Sequence, residues 1–313
     1  MTINKNTPNL LQFTRLDNGP IIIPDPSLKW EIGGVFAPAV IYENDIWKMV
    51  YRAYGDDNIS RLGYAESLDG IKWQKDKTPR VIPDNFRLEC DGIEDPRIVK
   101  IDGQHLITYT AYNRKRRYAN TKIRILKTSD FSNFKRITAS FKNHWHKNDK
   151  DGVLFPEKIN GAYHMLHRIE PNIQLSVSKN LKKWTRSTTV LKKTDNTWEA
   201  CKIGAGAPPI KTDLGWLLFY HGVSETKEYS MGAAILKHDS PTKTLYRLPF
   251  SLIHPETDYE KHGNIPNVVF GTSAIEFGPD YRLYYGASDT TIAVASINKN
   301  ALLEALKQYP VEN

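Results

Sequence analysis

Apolar positions in this chain recur with a period of two for most of its length. Short runs of aliphatic, β-branched and aromatic residues occupy Val35–Tyr42, Ile46–Ala53, Arg97–Ile101, His105–Tyr112, Tyr163–His167, Trp216–His221 and Arg282–Gly286. Polar and glycine clusters punctuate them: Glu43-Asn44-Asp45, Asp102-Gly103, Asn160-Gly161 and Asp213-Leu214-Gly215. Strand-length apolar runs joined by two- or three-residue turn signals predict antiparallel hairpins. The helical period surfaces only at the end. Asn298–Gln308 carries Leu302, Leu303 and Leu306 on one stripe behind an asparagine suited to the N-cap, which predicts one short helix packed on the outside.

A weak internal repeat organises these hairpins. A serine, then Asp or Asn, then an aromatic follows several expected strands: Ser67-Leu68-Asp69 with Trp73, Ser129-Asp130 with Phe134, and Ser178-Lys179-Asn180 with Trp184. The aromatics stand 61 and 50 residues apart, close to the length of a four-stranded propeller blade. Dividing the chain by that interval gives five or six units, and a propeller leaves only short, protected sheet edges. A β-sandwich with coincidental turns is the alternative.

Composition narrows the setting. The 313 residues are 40% hydrophobic and 11% aromatic, enough for a sizeable core. No apolar run approaches the roughly 18–20 residues of a membrane span, and MTINKNTPNLLQF lacks the apolar stretch of a secretory signal. Cys90 and Cys201 make no disulfide framework, which suits a reducing compartment, so the expected location is cytoplasmic. The net charge of +8 points to an anionic partner. Arg114-Lys115-Arg116-Arg117 reads first as a solvated loop, without the patterns of a nucleic-acid module, so a small anion such as phosphate or a phosphosugar is favoured.

Three segments hold candidate chemistry. In Gly92-Ile93-Glu94-Asp95-Pro96-Arg97, two carboxylates precede a proline that removes a backbone donor and disfavours helix at Asp95. An acid there can project into a propeller's central funnel; the structural alternative is a Glu94–Arg97 ion pair with Asp95 closing a turn. The second segment, Asp151–Lys158 followed by Tyr163–Arg168, puts Arg168 at a strand end, where a guanidinium can fork onto an oxyanion. The third, Gly204–Thr212 followed by Trp216–Gly222, allows close backbone approach to a ligand. There Lys211 and His221 flank an expected hairpin turn and can lie beside each other. His144-Trp145-His146 lacks further ligands at metal spacing, Asp56-Asp57 lacks a surrounding βαβ unit, and no nucleophile elbow is present.

Taken together, GVFAPAVI, YRAYG, SRLGYA, GIEDPRIV, DGVLFPEKI, YHMLHR, IGAGAPPIKT, GWLLFYHGV, YEKHGNIPNVVF and YYGASDTTIAVA resemble glycoside hydrolase family 130, the β-mannoside phosphorylases and related mannosidases, over residues 33–296. The resemblance implies an all-β, five-bladed β-propeller spanning 1–313 as one catalytic domain with a short C-terminal helix. It implies Asp95 as general acid, Arg168, Lys211 and His221 as phosphate ligands, and Arg52, Ser60, Arg61, Asp151 and Asp289 as substrate contacts. Two positions depart from the family pattern: Ala37 replaces a common Asn, and Ala207 a frequent proline.

The expected reaction is reversible, inverting phosphorolysis of a β-mannoside, β-1,2-mannobiose or β-1,2-oligomannan foremost, giving α-mannose 1-phosphate. Phosphate is already an anionic nucleophile, so it needs an acid and a cationic cradle rather than the second carboxylate that activates water. Inorganic phosphate is thus a co-substrate, and no metal or other cofactor is expected. Alternatives are a water-using β-mannosidase of the same family, a β-1,4-mannosyl-glucose or β-1,4-mannosyl-N-acetylglucosamine phosphorylase, and a non-catalytic glycan-binding propeller. Neither nucleic acid nor membrane is an expected partner, and self-association stays open.

Overall fold

The computed structural model describes residues 11–84, 88–115, 120–137, 139–141 and 148–312. All seven apolar runs lie within strands, and the turns between them are the tight ones that the polar dipeptides demand. Asn44-Asp45, Asp102-Gly103 and Asn160-Gly161 all have positive φ, as a two-residue turn between right-twisted strands requires.

The strands form a five-bladed propeller. Its first blade runs outward from Gly34–Glu43 through Ile46–Tyr54 and Ser60–Ser67 to Gln74–Lys75; the second runs from Gly92–Ile101 through Gln104–Tyr112 and Thr121–Thr128 to Lys135–Ile137. Lys150–Leu154, Tyr163–Ile169, Asn172–Ser178 and Thr188–Leu191 make the third. In the fourth, Gly215–Val223 pairs on its inner side with both Lys202–Ala205 and Ile210–Thr212, and on its outer side with Tyr229–Leu236 and then Thr244–Arg247. The fifth joins both ends of the described chain: Val269–Phe277, Asp280–Ala287 and Thr291–Asn298 take Thr14–Arg15 as outermost strand.

Apolar faces of neighbouring blades meet in shared cores, as Val50, Leu62, Ile98 and Ile107 do between blades one and two, and Leu217, Ile235, Leu283 and Ala295 do between four and five. The C-terminal helix, Lys299–Lys307, starts where expected: the Asn298 side chain accepts from the Ala301 amide at 3.1 Å. Leu302 and Leu306 are buried against blades four and five, with Leu303 half-buried.

The repeat proves to be a capped turn closing the third strand of the first three blades. A hydroxyl at that strand's last residue accepts a backbone N–H from the turn, and the Asp or Asn two residues on accepts two more. Asp69 takes Ile71 and Lys72, Asp130 takes Ser132 and Asn133, and Asn180 takes Lys182 and Lys183. Strand geometry corrects one member. In the second blade the hydroxyl belongs to Thr128, the true strand end, rather than to Ser129.

Backbone register positions the site. Inner strands slip between Phe36 and Ala39, Glu94 and Arg97, Lys150 and Val153, and Gly271 and Ser273, each slip being a bulge facing the central axis. Ala37, Asp95 and Asp151 sit in the first three with φ of 48°, 51° and 53°. The Asp-Pro step of the sequence is therefore one case of a recurrent inner-strand kink. No helix among the described residues is long and apolar enough to cross a membrane.

Candidate active site

The bulges surround a cavity of about 240 Å³ on the propeller axis. Of the expected site residues, Asp95, Arg168, Arg52, Asp151 and Asp289 line it. Lys150, Phe36, Tyr229, Ile265, Val268 and Phe270 complete the lining.

Arg52 is the hub on the acid side. It donates to Asp95 Oδ1 at 2.9 Å, to Glu94 Oε1 at 2.8 Å and to Ser60 Oγ at 2.9 Å, while its guanidinium lies 4.7 Å from the centre of the Phe36 ring. Ser60 therefore serves by holding Arg52. Glu94 also accepts from Lys150 Nζ at 3.1 Å. The expected alternative of a Glu94–Arg97 pair is thus not formed. Arg97 instead donates to the backbone oxygen of Asp95 at 2.7 Å and reaches Asp151 at 3.4 Å, tying two bulges together from behind.

Charge decides the protonation states. Burial pushes the Asp95 carboxyl up, but Arg52, Lys150 and Arg97 outweigh it and leave it below the ordinary carboxylate range. Burial wins at Asp289, which rises to about 6, with Arg52 opposing and Asp95 and Glu94 adding to the rise. Asp151 is held as a carboxylate against its own burial, chiefly by Arg168, whose Nη1 lies 3.0 Å from Oδ2.

On the other side, Arg168 Nη1 donates to His221 Nε2 at 3.0 Å. His221 is fully buried, and that burial pushes its pKa down to about 3. The ring is therefore neutral and carries its proton on Nδ1, not the cationic donor the sequence suggested. The Arg168 Nε and His221 Nδ1 donors are buried without a hydrogen-bond partner. Arg168 lines the cavity while His221 lies behind it, outside the lining, and two buried orphan donors on touching side chains are unusual in a folded protein.

Lys211 is the main correction. It pairs across its hairpin with Trp216, whereas His221 lies five residues further along that strand, opposite Gly204. The Lys211 side chain is 56% exposed, paired with Glu157 at 2.7 Å, and outside the cavity lining that holds Arg168. The hairpin that holds His221 has a longer inner arm, Lys202–Ala205, and Lys202 reaches Glu170 at 3.1 Å, the carboxylate that also faces Arg168 at 3.7 Å. Arg61 does not line the cavity. Asp57 and the Ile59 carbonyl hold its guanidinium, so of the Asp56-Asp57 pair it is Asp57 that supplies a salt bridge.

Lys150 and Lys202 are functional candidates that the sequence did not single out, and Glu94 was read there only as a structural ion-pair partner. The signal for Lys150 was its place beside Asp151, directly across from Arg168 in the next strand. Among the described residues no three His, Cys, Asp or Glu side chains converge as a metal site. The His144–His146 cluster lies outside the described residues, as do Arg116 and Arg117, while Arg114 is paired with Asp91.

The family model described as beta-1,4-mannooligosaccharide phosphorylase matches residues 28–308. Among curated relatives, the 1,2-beta-oligomannan phosphorylase of Thermoanaerobacter sp. strain X514 is 38% identical over 294 residues, covering 91% of this chain and 97% of its own. The beta-1,2-mannobiose phosphorylase of the same organism is 37% identical, covering 93% of this chain and 98% of its own. Among solved structures, the beta-1,2-mannobiose phosphorylase of Listeria innocua in complex with beta-1,2-mannobiose superposes with a TM-score of 0.85 at 26% identity, over 95% of this chain and all of that one.

Proposed function

The chain belongs to glycoside hydrolase family 130, a family of enzymes, and from that premise we propose that it transfers the mannosyl group of β-1,2-mannobiose or a β-1,2-oligomannan to inorganic phosphate, reversibly and with inversion. The observation that carries the reading is that Arg168, with an unsatisfied Nε and with His221 packed behind it, lines the same cavity as Asp95. A guanidinium that already faces Asp151 at 3.0 Å still has donors to fork onto a tetrahedral oxyanion.

In this scheme Asp95 protonates the departing glycosidic oxygen, directly or through a sugar hydroxyl. Phosphate, held by Arg168, His221 and the adjacent Lys150 and Lys202, attacks the anomeric carbon from the opposite face. The C–O bond to the acceptor sugar breaks as the C–O bond to phosphate forms, giving α-mannose 1-phosphate. Asp151 locks Arg168, and Arg52 with Ser60 locks Asp95. The relatives named for β-1,2 linkages support that linkage over β-1,4.

The test is sugar release from β-1,2-mannobiose with and without phosphate. Phosphate-dependent formation of α-mannose 1-phosphate is expected, and Asp95→Asn should slow it by about 10²–10⁴-fold, the range for losing a general acid. Equal rates of mannose release in both conditions would make the chain a water-using mannosidase.

A further inference from the structure

The cavity is chemically two-sided. Most of its polar lining comes from the first three blades, through Arg52, Asp95, Lys150, Asp151 and Arg168, with Asp289 added from the fifth. Much of its apolar half comes from Tyr229, Phe270 and the segment entering the fifth blade, which supplies Ile265 and Val268. Val268 is buried and Tyr229 and Phe270 are half-buried, but Ile265 stands 47% exposed at the mouth.

An exposed isoleucine alone means little. This one is held in place through its own amide and through Asn264 before it. The Asn264 side-chain amide donates to the backbone oxygens of Gly33 at 2.6 Å and Asp289 at 3.1 Å, so one side chain bridges the first and fifth blades. The Asn264 amide nitrogen is bound by Thr290 Oγ1 at 2.9 Å, and the Ile265 amide donates to the Ser288 oxygen at 3.1 Å. Below it, the Val268 amide and the Ser288 hydroxyl both donate to the Glu260 carbonyl. Four anchors thus hold an apolar side chain at the opening, on the side of blades five and one, while Arg168 and His221 sit in blades three and four.

We propose that Ile265 is the apolar wall of the subsite for the acceptor sugar and a determinant of which acceptor is used. The inference rests on the phosphorolytic reading and deepens it. If phosphate sits against Arg168 and His221, in-line displacement sends the leaving sugar to the far side of the anomeric carbon, toward Ile265. A hexopyranose has a face rich in C–H groups, which gains from covering an aliphatic side chain while its hydroxyls meet water.

The experiment runs the reaction in the synthetic direction, from α-mannose 1-phosphate and mannose, with wild type, Ile265→Ala and Ile265→Leu. Removing the wall should raise the KM for mannose by about tenfold, the effect of losing aliphatic contacts in a binding pocket. The KM for α-mannose 1-phosphate should stay within about twofold, and Ile265→Leu should restore the mannose KM. An unchanged mannose KM, or both KM values rising together, overturns the inference. If wild type makes no disaccharide, the phosphorolytic reading is what has failed. Calorimetric titration of β-1,2-mannobiose then decides the wall: weaker binding to Ile265→Ala supports it, while equal binding, or none to wild type, overturns it.

Discussion

Asp289 and Asp95 line the same cavity, yet burial raises one carboxyl and loses to cations at the other. The sign of the stability effect follows. An acid whose folded pKa lies above its unfolded value near 4 binds more protons folded, so its stabilising contribution is complete below pH 4 and is lost as pH rises through about 6. Asp289→Asn removes that loss. It should therefore be more stable than wild type at pH 7–8, by about 1–2 kcal/mol after allowing for partial exposure, and the gap should close below pH 4. Melting curves across that range check it, and parallel curves would show that Asp289 titrates normally. The same charges make a second prediction. Glu94, Asp95, Asp151 and Asp289 are set against an equal number of cations, Arg52, Arg97, Lys150 and Arg168. A phosphate dianion entering this balanced cluster favours protonation of the nearest carboxyls, which would arm Asp95 as an acid only once the nucleophile is bound. Phosphate titrations in buffers of different ionisation enthalpy should report proton uptake near pH 7; uptake of none would detach the acid from the anion.

The elements explain what could be read from the chain and what could not. The long inner and second strands were legible because their apolar runs are nearly continuous and their turns are of the Asn-Asp or Asp-Gly kind. Their third partners, such as Thr121–Thr128 with its lysines and arginine, alternate too weakly to stand out. The place of Asp95 on the cavity wall was half legible: the proline after it flags an irregular strand, but a structural turn fits the same residues, and only the family resemblance chose between them. Lys202 was not, because the fourth blade's inner edge is broken at Gly206–Pro209, and the nearer lysine, Lys211, belongs to the wrong arm. Register turns this into a prediction. Lys202→Ala should raise the phosphate KM by about tenfold or more, as expected for loss of a charged contact to an anion. Lys211→Ala removes an exposed pair worth about 0–1 kcal/mol and should leave the phosphate KM unchanged. The reverse result would return Lys211 to the cradle. Gly204 supports the same register from the backbone: a Cβ there would lie 2.3 Å from Asp151 Oδ2 and 2.4 Å from His221 Cε1, so the site requires glycine opposite His221.

At the scale of the whole molecule, the ring closes where Thr14–Arg15 joins Thr291–Asn298, a pairing of only two residues. So short a strand needs other support, and Glu260 provides it. This fully buried carboxylate accepts from Arg15 Nε at 2.8 Å and Nη2 at 2.7 Å, from the Tyr285 hydroxyl at 2.7 Å, and from the amides of Glu256 and Thr257. Arg15 thus ties the N-terminal strand to the fifth blade and to the segment that carries Ile265. The two halves of this pair are unequal. Without Arg15, Glu260 keeps three donors; without the Glu260 carboxylate, Arg15, Tyr285 and two amides lose their acceptor, although Arg15 retains Glu256 and the His254 oxygen. Breaking a buried ion pair from one side costs about 3–5 kcal/mol, with the larger loss where more partners are orphaned. Glu260→Ala should therefore lower the melting temperature more than Arg15→Ala, and both by several degrees. Because the turn bearing Ser288 and Asp289 rests on the Glu260 carbonyl, hydrogen exchange in both variants should rise first in Asp280–Ala287 and Thr291–Asn298. Exchange rising evenly over all five blades would mean that the closure is held elsewhere, and that the short N-terminal strand is a passenger on a ring already sealed by its apolar cores.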